Sequence, residues 1–312
     1  MLISEDGPLF DRPEQEKMCM KILNFGSLNL DIVTRVEQFV RPGETVRARS
    51  QELRCGGKGL NQSIALARAG AEVWHAGCVG EGGEMLLNYL VDHGVHTDYI
   101  ENILERQGSA FIQVTDTGDN SIILYPGSNE CLTEAQVKDT LEHFGRGDIL
   151  VLQNEVNLLP YIVDQAYRRG MIIVLNPSPY NERIAAVDLN KISWLFVNEI
   201  EAEQIAGTRE ALVTWEKLHA QYPKLRLLVT LGAGGSVCFS GDYANQQPPY
   251  PAEVKDTTGA GDTYTGYFLA SLAGGKTLEE AMNIATMAAA ISITRPGAAE
   301  SIPGIEEVLA CL

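Results

Sequence analysis

Ile149-Leu150-Val151-Leu152-Gln153 and Met171-Ile172-Ile173-Val174-Leu175-Asn176 flank a helical stretch at 159–168. Neither apolar run alternates with polar residues, as befits strands covered on both faces. A strand, a crossover helix and a second strand form one right-handed unit of a parallel sheet. The rhythm continues outward. Further apolar runs stand at 194–197 and 227–231, with helical stretches at 133–144, 200–206 and 208–219. Upstream, 21–25 reads as a strand stopping at Gly26-Ser27, 61–69 as a helix stopped by Gly70, 73–79 as a strand and 82–92 as a helix. Two segments break the pattern. Residues 31–54 alternate around Pro42-Gly43, and 109–115 and 121–125 flank the hairpin signal Asp116-Thr117-Gly118-Asp119-Asn120. Both are expected to leave the main sheet and form a small β lid. It would lie beyond the carboxyl ends of the strands, where open α/β sheets bind their ligands.

The 312 residues are 45% hydrophobic and 21% charged, ample for one large α/β core. No apolar run is long enough to cross a bilayer. Residues 1–20, with Asp6, Asp11, Glu14 and Glu16, lack the basic and apolar regions of a secretory signal and read as an acidic flexible tail. The net charge of -17 argues against nucleic acid or an anionic membrane as partner. Six cysteines without a Cys-x-x-Cys pair fit a reducing cytoplasm. His93 and His96 lack a third ligand, and a surface turn is the expectation there.

Chemistry concentrates in glycine-rich turns. Asp256-Thr257-Thr258-Gly259-Ala260-Gly261-Asp262 opens an apolar helix. Unpaired amides at such a helix mouth, with the positive end of its dipole, suit a phosphate or developing anion. Asp262 beside them is a poor phosphate ligand but a good proton acceptor for a hydroxyl attacking phosphorus. A capped turn with no chemistry is the plainer alternative for these seven residues taken alone. Asn29 and Asp31 follow the first strand and, one residue apart on extended chain, point to one side. Gly56-Gly57-Lys58-Gly59-Leu60-Asn61 precedes a helix but fails the Walker pattern, having Gly59 where Ser or Thr is needed. Position 264 is Tyr, so the dinucleotide fingerprint fails too. Glu155 lies just past a strand end. Asn198 and Glu201 follow another, within an acidic patch suited either to hydrated Mg²⁺ or to a helix dipole. Thr230 to Gly235 is either a nucleotide-facing turn or a plain hairpin.

In this order the motifs resemble the ribokinase-like sugar kinases of the PfkB family, over residues 21–304. Arg41 to Thr45, Gly56 to Gln62 and Leu175 to Pro179 are nearer the ribokinase branch than fructokinases or adenosine kinases. The resemblance implies a three-layer α/β fold, a largely parallel sheet flanked by helices. Residues 21–312 would form one kinase domain, with a lid from about 31–55 and 109–127. It further implies Asp262 as the base, with the backbone of Gly259, Ala260 and Gly261 as anion hole. Asn29, Asp31, Gly57, Lys58, Asn61 and Glu155 would hold the sugar. Asn198, Thr230, Gly232, Gly235 and Thr286 would line the ATP site, with Glu201 organising Mg²⁺ through water. Asp256, Thr258, Ser292, Arg295, Gly297 and Ser301 would surround an activating K⁺, several through carbonyls. Ribose is the leading substrate. Deoxyribose, fructose or a nucleoside are the alternatives, and a sugar sensor without catalysis is a further one. Three departures stand out: Thr265 and Tyr267 after the catalytic segment, Thr286 where Asn is common, and Gln113, an amide expected near the sugar. Exposed lid edges predict a homodimer through paired lids.

Overall fold

The computed structural model describes residues 20–312, so all but the last residue of the expected acidic tail lies outside the described residues. Central strands are buried along most or all of their length, in keeping with their largely apolar sequences. These are β1 (Ile22–Phe25), β4 (Val73–Glu81), β8 (Ile149–Gln153), β9 (Ile172–Asn176), β10 (Trp194–Asn198) and β11 (Arg226–Thr230). With β5 (His96–Arg106) they run parallel, and β12 (Ser236–Ser240) and β13 (Tyr243–Gln247) add an antiparallel edge. The sheet order is β13-β12-β11-β10-β9-β8-β1-β4-β5.

Successive strand residues feed two separate cores. Ile22, Ile149 and Val151 pack with α1 (Lys58–Arg68), α2 (Glu84–Asp92), α7 (Ala260–Ala273), α8 (Leu278–Ser292) and α9 (Ile305–Cys311). Leu23, Leu150 and Leu152 face α3 (Glu134–Leu141), α4 (Leu159–Arg168), α5 (Glu199–Ala206) and α6 (Ala211–Gln221). The result is three layers around one sheet, as expected.

The lid is a second sheet of order β3-β2-β6-β7, from β2 (Asn29–Arg35), β3 (Ser50–Gly56), β6 (Ser109–Val114) and β7 (Asn120–Tyr125). The two hairpins read from sequence are fused into it by parallel pairing of β2 with β6. Ile112 and Val114 face the cleft beneath, so Gln113 between them faces out. Its Oε1 accepts from the Val40 amide at 3.3 Å, which corrects the expectation of an amide near the sugar.

Two further expectations need adjustment. Helix α1 begins at Lys58, inside the segment read as a glycine loop. Gly57, at φ 93, turns the chain, and Gly59 lets the helix lie against the end of β1. A Cβ at Gly59 would stand 2.3 Å from the Ser27 amide. Strand β5 was not anticipated at all, because its sequence is polar: it is an edge strand with two register shifts against β4. His96 belongs to that strand, stacked on Trp74 and 3.7 Å from Glu72. Among the described residues, no helix is long and apolar enough to cross a membrane.

Candidate active site

Helices α1 and α7 start side by side beyond the carboxyl end of the sheet, and their packing sets the site. Gly266 lies so close to α1 that a Cβ there would be 2.3 Å from the Ala65 Cβ. One turn back along both helices, Asn61 and Gln62 therefore reach Asp262. Asn61 Nδ2 donates to Oδ2 at 3.1 Å and Gln62 Nε2 to Oδ1 at 2.9 Å. Asp262 is buried and forms no ion pair with Lys or Arg among the described residues.

Gly259 caps α7 in the left-handed region at φ 75, with no side chain to satisfy the first-turn amides. The Ala260 amide is partly occupied, donating to the Thr257 carbonyl at 3.3 Å. The Gly261 and Asp262 amides belong to the same first turn of α7.

A cavity of about 200 Å³ opens here, lined by Lys58, Asn198, Glu201, Thr230, Gly259 and Asp262 together with Gly261, Asn176 and Thr265. Burial opposes the charge on Lys58, yet the carboxylates of Asp262, Glu155 and Glu201 outweigh it and raise the lysine above its usual pKa. Asn198 and Glu201 form a capping box at the start of α5: Asn198 Oδ1 accepts from the Ile200 and Glu201 amides, and Glu201 Oε2 accepts from the Asn198 amide at 3.0 Å. One role does not exclude the other, since both residues also line the cavity. Asn176 Oδ1 is buried there with no partner. An orphan acceptor and a carboxylate at one phosphate-sized cavity fit the protons of water around Mg²⁺.

Gly232 and Gly235 sit in the turn after Thr230, which joins β11 to β12 as an antiparallel hairpin, while Thr230 itself lines the cavity. Thr286 does not join this cavity. It is buried in α8 and its hydroxyl donates to the Met282 carbonyl at 2.7 Å, the back-bond a mid-helix Thr commonly makes. Tyr267 is likewise turned away, donating to the Pro303 carbonyl at 2.6 Å.

On the lid side, a second cavity of about 410 Å³ lies between the lid sheet and the loops around 256 and 297. Asp31 faces it from β2. Burial, with the charges of Glu155 and Glu300 nearby, pushes its pKa up to about 7 against the pull of Arg54. Asn29 is fixed by Asn129, whose Nδ2 donates to Asn29 Oδ1 at 2.7 Å. Glu155 accepts from the Lys58 amide at 3.0 Å and from the Ser27 hydroxyl. Burial raises its pKa, and Lys58 and Ser27 only partly offset that. Gly57 to Asn61 and Glu155 thus meet between the two cavities.

Of the six positions expected around K⁺, Asp256, Thr258 and Gly297 are joined by hydrogen bonds, Ser292 ends α8 and Ser301 lies in a short 3-10 turn. Asp256 Oδ1 accepts from the Thr258 amide and hydroxyl, and Oδ2 from the Gly297 amide at 2.9 Å. Burial would raise the Asp256 pKa, but these bonds and Arg54 outweigh it and hold it below the ordinary carboxylate value. Ser292 and Ser301 hydroxyls donate to carbonyls at 2.8 Å. Arg295 pairs with Glu307 on the surface, so only its main chain can face a cation. The donor chemistry is oxygen throughout, which fits a monovalent cation.

A buried carboxylate at an uncapped helix mouth, beside a lysine and a phosphate-sized cavity, fits the site of a phosphotransferase. The comparisons agree. The pfkB family carbohydrate kinase pattern matches residues 20–305. A ribokinase of Haemophilus influenzae is 34% identical over 91% of this chain and 95% of its own. The solved ribokinase of Cryptococcus neoformans, in complex with ADP, superposes with a TM-score of 0.84 at 32% identity, over 94% of this chain and 100% of that one. Arabidopsis thaliana ribokinase, complexed with ribose and ATP, gives 0.82 at 29% identity over 94% and 98%. The chain belongs to the pfkB family of carbohydrate kinases. Within it the chain is a sugar kinase of the ribokinase type, an ATP-dependent phosphotransferase.

Sequence reasoning missed Gln62, Asn129 and Ser27 as supports of the site. Gln62 was visible beside Asn61, and its amide one residue on was the available signal.

Proposed function

We propose that this kinase transfers the γ-phosphoryl of ATP to the primary 5-hydroxyl of D-ribose. The observation that carries the reading is the Asp262 carboxylate, held by two amide N–H groups at the mouth of α7 with no direct ion pair to Lys or Arg among the described residues. A carboxylate so held can take the sugar proton while its alcohol oxygen attacks phosphorus. The bond from γ-phosphorus to the bridging oxygen breaks, and ADP leaves with that electron pair. Asn29, Asp31, Lys58, Asn61 and Glu155 orient the sugar. The first-turn amides of α7 and Lys58 meet the charge that grows on the phosphoryl. Mg²⁺ near Glu201 and Asn176 would offset phosphate charge, and K⁺ in the 256–301 loops would steady the anion hole. Asn198, Thr230, Gly232 and Gly235 border the nucleotide.

The similarity to ribokinases, one of them solved with ribose and ATP, supports ribose over other sugars. We further propose that the protein works in the cytoplasm as a homodimer joined through its lids. ADP release should be measured with ribose, deoxyribose, fructose and adenosine, each with K⁺ and with an inert cation. Ribose should give the highest kcat/KM and K⁺ should raise it. Adenosine or fructose outrunning ribose would overturn the substrate assignment.

A further inference from the structure

Beneath Asp262 runs a continuous chain of buried polar groups that the mechanism above does not use. Gln62 donates to Asp262 and its Oε1 accepts from Gln153 Nε2 at 2.6 Å. The same Gln153 nitrogen donates to Asn24 Oδ1 at 3.0 Å. Asn24 Nδ2 donates to Ser63 Oγ at 2.9 Å and to the Gly59 carbonyl at 2.8 Å. Ser63 Oγ meets His75 Nδ1 at 2.9 Å, and His75 Nε2 meets the Gly26 carbonyl at 3.1 Å. Asn24, Gln62, Ser63, His75 and Gln153 are all essentially without solvent exposure.

The direction of every bond in this chain is determined. A backbone carbonyl only accepts, so His75 Nε2 carries the proton. Burial drops the His75 pKa to about 4, so the ring is neutral and Nδ1 is an acceptor. Ser63 must then donate to Nδ1 and accept from Asn24. That turns the Asn24 oxygen towards Gln153, whose nitrogen serves both Asn24 and Gln62. Gln62 is left with its nitrogen facing Asp262. Turning Gln153 over would set its oxygen against two other amide oxygens. Its own Oε1 is buried with no partner, so the orientation is held although it leaves an acceptor unsatisfied.

We propose that Gln62, locked by Gln153 and the Asn24–Ser63–His75 relay, is a positioning residue that aims the Asp262 carboxylate at the sugar hydroxyl. The relay anchors the base of α7 to the adjacent strands β8, β1 and β4 of the sheet. Gln62 is fully buried and lines neither cavity, so it should govern the chemical step and leave ground-state binding alone. This rests on Asp262 being the base.

The test compares Gln62→Met, Gln153→Met, their double variant and Asp262→Asn, with kcat, sugar and ATP KM, and thermal melting for each. Methionine keeps the size and removes the hydrogen bonds. Each single Gln variant should lose about ten-fold or more in kcat, with both KM values within about three-fold of the parent. Because Gln153 acts only through Gln62, the double variant should be no slower than Gln62→Met. Folded Gln variants with kcat within about two-fold of the parent, or single losses that multiply in the double, overturn the proposal. If a Met variant does not fold, Gln62→Asn decides: it keeps the amide but falls one methylene short, and the same kcat loss is expected. Normal turnover in Asp262→Asn would refute the base itself. Lost turnover there with intact Gln variants would refute only the positioning.

Discussion

Asp31 and Glu155, which the proposed reading sets against the sugar, are both partly buried, and neither is an ordinary surface carboxylate. The Asp31 proton is held up to about pH 7 by burial and by the charges of Glu155 and Glu300. To accept hydrogen bonds from sugar hydroxyls with both oxygens it must be ionised. Its folded-state pKa is raised, so below about pH 7 the free enzyme carries the proton. The sugar kcat/KM should therefore fall about ten-fold per pH unit on that side, and Asp31→Asn should abolish this limb at low overall activity. A parent profile flat through neutrality would contradict the assignment. The candidate site residues were legible because they sit in short motifs at strand and helix ends. Their supports were not. Gln62 meets Asp262 across 200 positions of sequence and Asn129 meets Asn29 across 100, distances no local pattern reports. Thr286 takes its expected place at the nucleotide from the motif order alone, and what local sequence could not report is the bond of its hydroxyl to the Met282 carbonyl.

The pairing of α1 with α7 is the element on which the site turns. Gly266 permits an approach that any side chain would obstruct, with the Ala65 carbonyl carbon and Leu66 nitrogen both 2.8 Å from its virtual Cβ. Gly266→Val should push the helices apart and cost about 1–3 kcal/mol of stability. It should also depress kcat, because Asn61 and Gln62 would retreat from Asp262. Urea unfolding and turnover would report both, and unchanged values for either would show that the contact does not set the site. Elements buried on both faces were the readable ones: 149–153 and 159–168 match β8 and α4 at both ends. Strand β5 escaped because an edge strand of mixed polarity follows no simple period. The β12–β13 hairpin, short and partly polar, was hidden behind the glycines of the preceding turn.

At the scale of the whole molecule, the outer face of the lid presents a row of apolar groups. Register sets Leu53, Ile32, Phe111 and Ile123 side by side across all four strands. Leu53, Phe111 and Ile123 are 53%, 48% and 65% exposed, more apolar surface than one small sheet ordinarily leaves in water. A second lid laid on the first would cover it and shelter the strand edges. Sedimentation should give twice the 34.0 kDa chain mass, and Ile123→Lys should reduce it to the single chain. A parent that sediments as a monomer would refute the paired lids. In the proposed reading sheet, lid and helices together serve one carboxyl group, and the most direct measurement of that proposal is a single-turnover assay of phosphoryl transfer to ribose by Asp262→Asn. The account predicts a rate at least about a hundred-fold below the parent with ribose binding nearly unchanged. A transfer rate close to that of the parent would contradict it.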